Sequence, residues 1–244
     1  MFNIFKRQGL TNLEWMEADL HSHLLPGIDD GVGDAFTGVQ FIGNLMQLGL
    51  KKFILTPHVY EEIYPNTPHT IDMAHESLYE VMQHEGLADV YTHSSAEYML
   101  GAHFGRLLET GNLRPFPTNH VLIELPWLGE PVGLEQTLLQ IRNCGYIPII
   151  AHPERYGFYF NRKEAYHKLK ELGCLLQLNL LSPTGFYGGN VMKASNYMIR
   201  NKLFDFVGTD LHHEKQLNRI VRYVRSGKAY KELAHLGLMN STLF

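Results

Sequence analysis

Short apolar segments and amphipathic segments take turns along this chain, and that alternation constrains the fold more than any other feature. Strand-like runs fall at 16–23, 52–56, 90–97, 121–124, 146–151, 175–179 and 204–207. Between most of them apolar residues recur at helical spacing, as with Val39, Ile42, Leu45 and Leu48 ahead of Gly49. Helices are expected at 35–48, 71–84, 134–143, 161–172 with Asn161 as its cap, and 190–200, and over most of the chain after 207. Pro148 marks its strand as irregular or as an edge. Strands separated by helical crossovers pair in parallel, as a closed barrel or an open doubly wound sheet. One α/β barrel commonly uses about this length, and no linker, repeat or low-complexity run divides the 244 residues. One domain over 1–244 is expected, with 1–14 as an N-terminal extension.

Composition removes several function classes. A net charge of −4 excludes a broad basic groove for nucleic acid. Gly31 and Gly33 follow Asp29 and Asp30 without the order of a glycine-rich phosphate loop. Cys144 and Cys174 each sit beside a glycine and read as small buried residues. The positions six residues beyond them are Ile150 and Leu180, not arginine, so a cysteine-nucleophile phosphatase is excluded. Residues 1–10 carry Lys6 and Arg7 but lack the apolar core of a signal peptide. No stretch approaches the ~20 apolar residues of a membrane span, and a cytoplasmic location is expected.

Chemistry-bearing residues gather at the C-terminal ends of the strand-like runs. Asp19-Leu20-His21-Ser22-His23 places two histidines one residue apart, on one face of a strand. Asp29 and Asp30 follow in the next loop, then His58 in Thr-Pro-His and Glu97 in Ala-Glu-Tyr. Glu124 ends Leu-Ile-Glu, His152 opens His-Pro-Glu-Arg, and Asp210 and His212 lie in Thr-Asp-Leu-His. In a β/α barrel those ends share one mouth, where active sites are built. Nitrogen and oxygen donors without thiolate suit manganese, iron or zinc. So many donors suit two or three ions, the arrangement that supports in-line displacement at phosphorus. His69, His75, His84, His93, His103, His120, His167, His213 and His235 read as surface or structural, with His213 the most open because it adjoins His212.

These motifs resemble the PHP (polymerase and histidinol phosphatase) superfamily. Within it the chain is similar to the bacterial manganese-dependent tyrosine-protein phosphatases of capsule and exopolysaccharide operons. Pro-Gly-Ile-Asp-Asp-Gly at 26–31 together with His-Pro-Glu-Arg-Tyr at 152–156 points to that branch. The resemblance implies a distorted seven-stranded, TIM-like β/α barrel holding three divalent ions, Mn2+ foremost and Fe or Zn as alternatives. By motif the implied ligands are His21, His23, Asp30, His58, Glu97, Glu124, His152, Asp210 and His212. Arg155 is implied to hold the substrate phosphate, and Arg155 and His58 are carried as catalytic residues. Some relatives have a second histidine where this chain has Val59, so that position receives no role.

The implied reaction is hydrolysis of protein phosphotyrosine. The implied partner is the tyrosine-rich tail of a membrane-anchored bacterial tyrosine kinase that regulates capsular or exopolysaccharide synthesis. A phosphatase of a small substrate such as histidinol phosphate would use the same donors. A non-catalytic kinase-binding module would be expected to lose some of them. An amidohydrolase is disfavoured because no lysine stands at the strand ends. The motifs leave the general acid, the native metal and the oligomeric state open.

Overall fold

The computed structural model describes residues 10–244; the basic start with Lys6 and Arg7 lies outside the described residues. Among the described residues nine strands form, all paired in parallel. The first sheet has the order β1 (Ala18–Asp19), β2 (Lys52–Leu55), β4 (Tyr91–Ser94). The second is a curled sheet of six: β3 (His58–Val59), β5 (Glu97–Met99), β6 (His120–Glu124), β7 (Ile147–Ala151), β8 (Leu175–Asn179) and β9 (Phe206–Gly208). Among the described residues six helices lie between strands, α1 (Ala35–Gln47), α2 (Pro68–His84), α3 (Ala102–Thr110), α4 (Leu134–Asn143), α5 (Glu164–Glu171) and α6 (Gly189–Arg200), and two follow β9, α7 (Glu214–Arg225) and α8 (Lys228–Leu233).

This corrects the expected distorted seven-stranded barrel in part, since the strands form a sheet of three and a curled sheet of six. The run at 52–56 gives β2 and is followed by a separate short β3, the run at 90–97 is broken into β4 and β5, and the break after β2 falls at Thr56-Pro57, where proline has no N–H to give. Backbone bonds carry on across the breaks, with Ser95 N donating to Leu55 O (2.8 Å) and Glu97 N to Pro57 O (3.0 Å). The run at 16–23 contributes only two ladder residues. Beyond them Asp210 N donates to His21 O (2.8 Å), His23 N donates to Leu211 O (3.0 Å), and Ser22 bridges Leu211 in parallel.

Pro148 sits in an interior strand, between β6 and β8, and not at an edge. It is tolerated because pairing with β8 begins one residue later, at Ile149. Helix α2 starts ahead of the expected range, since Thr67 and Thr70 form a reciprocal capping box around Pro68. Helix α5 starts at Glu164, so Asn161 is not its cap. Helix α3 was not expected at all; it buries only Phe104 and Leu108. Cys174 is buried, whereas Cys144 is exposed at the end of α4.

Side chains alternate across the strands into two apolar clusters. Phe53, Leu55, Val121, Ile123, Ile150 and Val207 pack with the helices. Ile54, Leu122, Ile149 and Phe206 pack with Leu20, Phe116 and Leu243 on the other side, without a residue of α1–α8. That second cluster fills the concave side. Following the same alternation toward the strand ends, Leu122 gives way to Glu124, and β8 offers Gln177 and Asn179. The concave side is therefore apolar below and polar at the C-terminal ends.

Asn240 ties the chain's end to this frame. Its side chain donates to Ala18 O (2.8 Å) and Val207 O (2.7 Å) and accepts from Val207 N (3.1 Å). The residue is 1 % exposed, so water cannot replace those bonds. Asn240→Ala is expected to destabilise the fold by about 3 kcal/mol, measured by urea unfolding, with m unchanged.

Candidate metal centre

His21 and His23 extend from β1, and Asp29 and Asp30 lie in the loop that follows. His58 opens β3, Glu97 opens β5 and Glu124 ends β6. His152 follows β7, and Asp210 and His212 follow β9. All of these but Asp29, spread over nearly 200 positions of sequence, converge on one cluster. Their donor atoms form four overlapping groups, each within 4.8 Å: His23, Asp30, His58 and His212; His21, His152 and Asp210; His21, His23 and Glu97; His58, Glu97 and Glu124. The nine expected ligands are all present in these groups. Glu97 is central, with Oε2 at 3.3 Å from His21 Nε2, 3.5 Å from His23 Nε2 and 3.1 Å from His58 Nδ1. Asp210 Oδ1 lies 3.3 Å from His21 Nε2 and 3.4 Å from His23 Nε2. Asp30 is the most exposed of the set and reaches His58 Nε2 at 3.5 Å and His212 Nε2 at 3.6 Å.

The surrounding residues fix which ring nitrogen faces the cluster. Gln177 Nε2 donates to Leu178 O, so its Oε1 is the atom that meets His21 Nδ1 at 2.9 Å. An amide oxygen only accepts, so His21 carries its proton on Nδ1. Asp29 Oδ2 likewise accepts from His23 Nδ1 (2.8 Å), and Asp210 O accepts from His212 Nδ1 (2.9 Å). In their neutral forms all three rings turn an Nε2 lone pair inward. His21 Nε2 and His23 Nε2 then face each other at 3.1 Å. Glu97 Oε2 is buried and makes no hydrogen bond among the described residues. Lone pairs aimed at one point and an orphaned buried oxygen repel unless positive charge sits between them. The donor set thus fits divalent cations, and the histidine orientation is that of rings held for metal binding.

The protonation balance points the same way. Burial would push the Glu97 carboxyl up, but His21 and His58 hold it well below the usual range. Burial opposes ionisation of Asp210 too, and His21 and His212 overcome it. Glu124 is raised to about 8, by burial and then by Glu97. His152 is lowered to about 4, by burial and then by the Arg155 charge. Protons alone therefore compensate the cluster unevenly. His152 (φ 34°) and Asp210 (φ 50°) both adopt the left-handed backbone region, unusual for non-glycine residues and frequent where a side chain must be aimed. At Gly208 an added Cβ would lie 2.6 Å from His21 Cβ, so β9 approaches the first histidine closely because it lacks a side chain there.

Arg155 stands at the rim, on the single-turn helix Pro153–Arg155. One nitrogen donates to Asp210 Oδ2 (2.6 Å), and the guanidinium lies 4.9 Å from the Trp127 ring centre and 4.5 Å from that of Tyr187. Two aromatic faces thus hold the fork in plane. Trp127 also stacks on His152 at 5.8 Å, and Tyr64 stacks on His58 at 5.4 Å. The cleft above the cluster measures about 310 Å³ and includes Asp30, His58, Tyr64, Trp127, Arg155 and His212 in its lining.

Several site residues escaped the sequence reading. Asp29 was noted in the loop but given no role; it also accepts from His58 N (3.1 Å) and Gly31 N (2.9 Å), which orders the loop carrying Asp30. Gln177, Asn179, Trp127 and Tyr187 gave no signal, because β8 and the loops end in neutral side chains. Asn179 donates to Asp210 Oδ2 (2.6 Å). His213, the uncertain histidine, caps α7 by accepting from Gln216 N and takes no part in the cluster.

The sequence model for the family described as capsular polysaccharide synthesis, CpsB/CapC, matches residues 17–237. The chain belongs to the CpsB/CapC family. Among its relatives, tyrosine-protein phosphatase YwqE of Bacillus subtilis is 28% identical over 236 residues, covering 93% of each chain. The putative tyrosine-protein phosphatase CapC of Staphylococcus aureus is 25% identical over 232 residues, covering 92% of this chain and 89% of its own. Crystal structures of YwqE from Bacillus subtilis and CpsB from Streptococcus pneumoniae describe them as metal-dependent tyrosine phosphatases. A chain of that work matches with a TM-score of 0.78 at 27% identity, covering 93% of this chain and 96% of its own. CpsB/CapC family membership thus agrees with the α/β fold and with a metal-dependent phosphatase line. No helix among the described residues is long and apolar enough to cross a membrane.

Two outcomes are expected at the cluster. Stripping divalent metal with a chelator should lower the thermal midpoint, and restoring it at 100 times its Kd should return about 2.7 kcal/mol, read by calorimetry. Gln177→Leu removes the acceptor that orients His21 and should weaken metal binding by about 10–100-fold in a metal titration, with the fold retained.

Proposed function

We propose that this chain is a metal-dependent protein-tyrosine phosphatase. The observation that carries the reading is the convergence of nine nitrogen and oxygen donors beneath a rim arginine. The proposed ligands of three divalent ions, Mn2+ foremost, are His21, His23, Asp30, His58, Glu97, Glu124, His152, Asp210 and His212. When bound, such ions supply Lewis acidity and make water a nucleophile at neutral pH. Three divalent charges outweigh four carboxylates, so a phosphate dianion is attracted although the whole protein is acidic.

The chain's own residues bind and orient. Arg155 keeps donors beyond the one given to Asp210, and its planar fork suits two phosphate oxygens at once. Trp127 and Tyr187 hold that plane, and Trp127 and Tyr64 give the cleft aromatic walls for a phenyl ring. His58 lines the cleft between Asp30 and Glu97 and is assigned as the catalytic histidine. The phenol leaving group has a pKa of about 10 and needs less protonation than an alkoxide would.

The tyrosine phosphatase relatives favour phosphotyrosine over histidinol phosphate, and the complete donor set opposes a non-catalytic module. The capsule family supports a kinase of polysaccharide synthesis as the partner, met in the cytoplasm. We also read the two sheets as one distorted seven-stranded β/α barrel in a single domain. Each broken strand then counts once, and the bonds of His21 and His23 to Asp210 and Leu211 close the ring.

The test is turnover of a phosphotyrosine peptide, histidinol phosphate and p-nitrophenyl phosphate by the metal-loaded protein. The peptide is expected to be the better physiological substrate, and preference for histidinol phosphate would overturn that assignment. Arg155→Ala should cut kcat/KM by about 100-fold with metal content unchanged, whereas His152→Ala should lose metal and activity together. Loss of metal in the arginine variant would make that residue structural.

A further inference from the structure

A second cleft of about 480 Å³ adjoins the first and shares Tyr60, Ile63, Met99 and Trp127 with it. Three neighbouring strands build it through the segments at their C-terminal ends. Tyr60 and Ile63 follow β3, Leu100 leads from β5 to α3, which opens with Ala102, and Pro126 to Leu128 follow β6. Its border carries large apolar side chains with little cover: Leu128 is 104 % exposed, Ile63 58 % and Trp127 44 %. Glu61, paired with Arg106, Glu62 and His103 add polar groups to its lining. The catalytic cleft itself is charged, with Asp30, Arg155 and His212 in its lining.

A phosphotyrosine within a polypeptide cannot enter the catalytic cleft alone, because its flanking residues have to lie somewhere on the rim. The side toward Leu128 offers apolar surface, and it is continuous with the wall against which the phenyl ring would stand. We propose that this groove is a substrate subsite that takes the apolar residues on one flank of the phosphotyrosine. The proposal rests on the phosphatase reading and names the class of polypeptide that reading would favour. Burying a leucine-sized side chain there adds binding that a small aryl phosphate cannot obtain. The groove thus separates protein substrates from small phosphate esters, and apolar-flanked tyrosines from polar-flanked ones.

The experiment uses the metal-loaded full chain and two variants outside the catalytic cleft, Leu128→Glu and Ala102→Arg. The substrates are p-nitrophenyl phosphate and heptapeptides with central phosphotyrosine, carrying glycines throughout or two leucines on one flank or the other. The unaltered protein is expected to favour one leucine-bearing peptide over the glycine peptide by about 10-fold in kcat/KM. Both variants should bring that ratio toward parity while p-nitrophenyl phosphate turnover stays unchanged. Equal turnover of all peptides by the unaltered protein would overturn the subsite, as would a preference that survives in both variants. A dimer that dissociates in Leu128→Glu with the peptide preference intact would assign the groove to a second copy of the chain instead. No turnover of p-nitrophenyl phosphate by the unaltered, metal-loaded protein would overturn the phosphatase reading itself, and the subsite with it.

Discussion

Lone pairs crowded into a buried space are what the rest of this structure is arranged around. His21 Nε2, His23 Nε2 and Glu97 Oε2 approach one another within 3.5 Å, and all three residues are fully buried. Such a cluster is unfavourable by itself, since desolvated donors of one sign repel. It persists because each side chain is fixed from behind. Gln177 holds His21, Asp29 holds His23, Asn179 holds Asp210, and the backbone at 152 and 210 is bent into the left-handed region, which aims those two side chains at the cluster.

The parallel sheet makes that fixing feasible. Every strand delivers its C-terminal end to the same side, so residues from β1 to β9 meet without long loops reaching across. Below the cluster, Leu20, Ile54, Leu122, Ile149 and Phe206 form a dry floor that keeps solvent from screening the charges above. Asp19 belongs to the same support: it accepts from Thr209 N (2.9 Å) and the Thr209 hydroxyl, clamping the start of the Asp210 loop against β1.

The donors were legible because titratable side chains at strand ends are rare in a packed core, and here they recur strand after strand. Their supports were not legible, because Gln177, Asn179 and Trp127 are ordinary residue types whose role appears only once β6, β7 and β8 lie side by side. Asp29 was hidden differently, since adjacent aspartates cannot be told apart until one turns toward His23 Nδ1 and the other toward His58 and His212. Among the elements, α3 was missed because Gly105 and a glycine at its start weaken the helical signal, and tertiary packing of Phe104 and Leu108 decides it. Pro148 misled because an edge is only one way to excuse a missing N–H; a late start of the neighbouring ladder is another.

Asp210 is shared between two tasks, as an inward-facing donor and as the anchor of Arg155. Any anion that draws the guanidinium toward itself removes positive charge from that carboxylate and leaves it freer to attract a cation. By thermodynamic reciprocity, a cation that claims the carboxylate loosens the arginine for the anion to the same degree. A cation and an anion bound here would therefore be energetically linked through one side chain, with each preparing the place of the other.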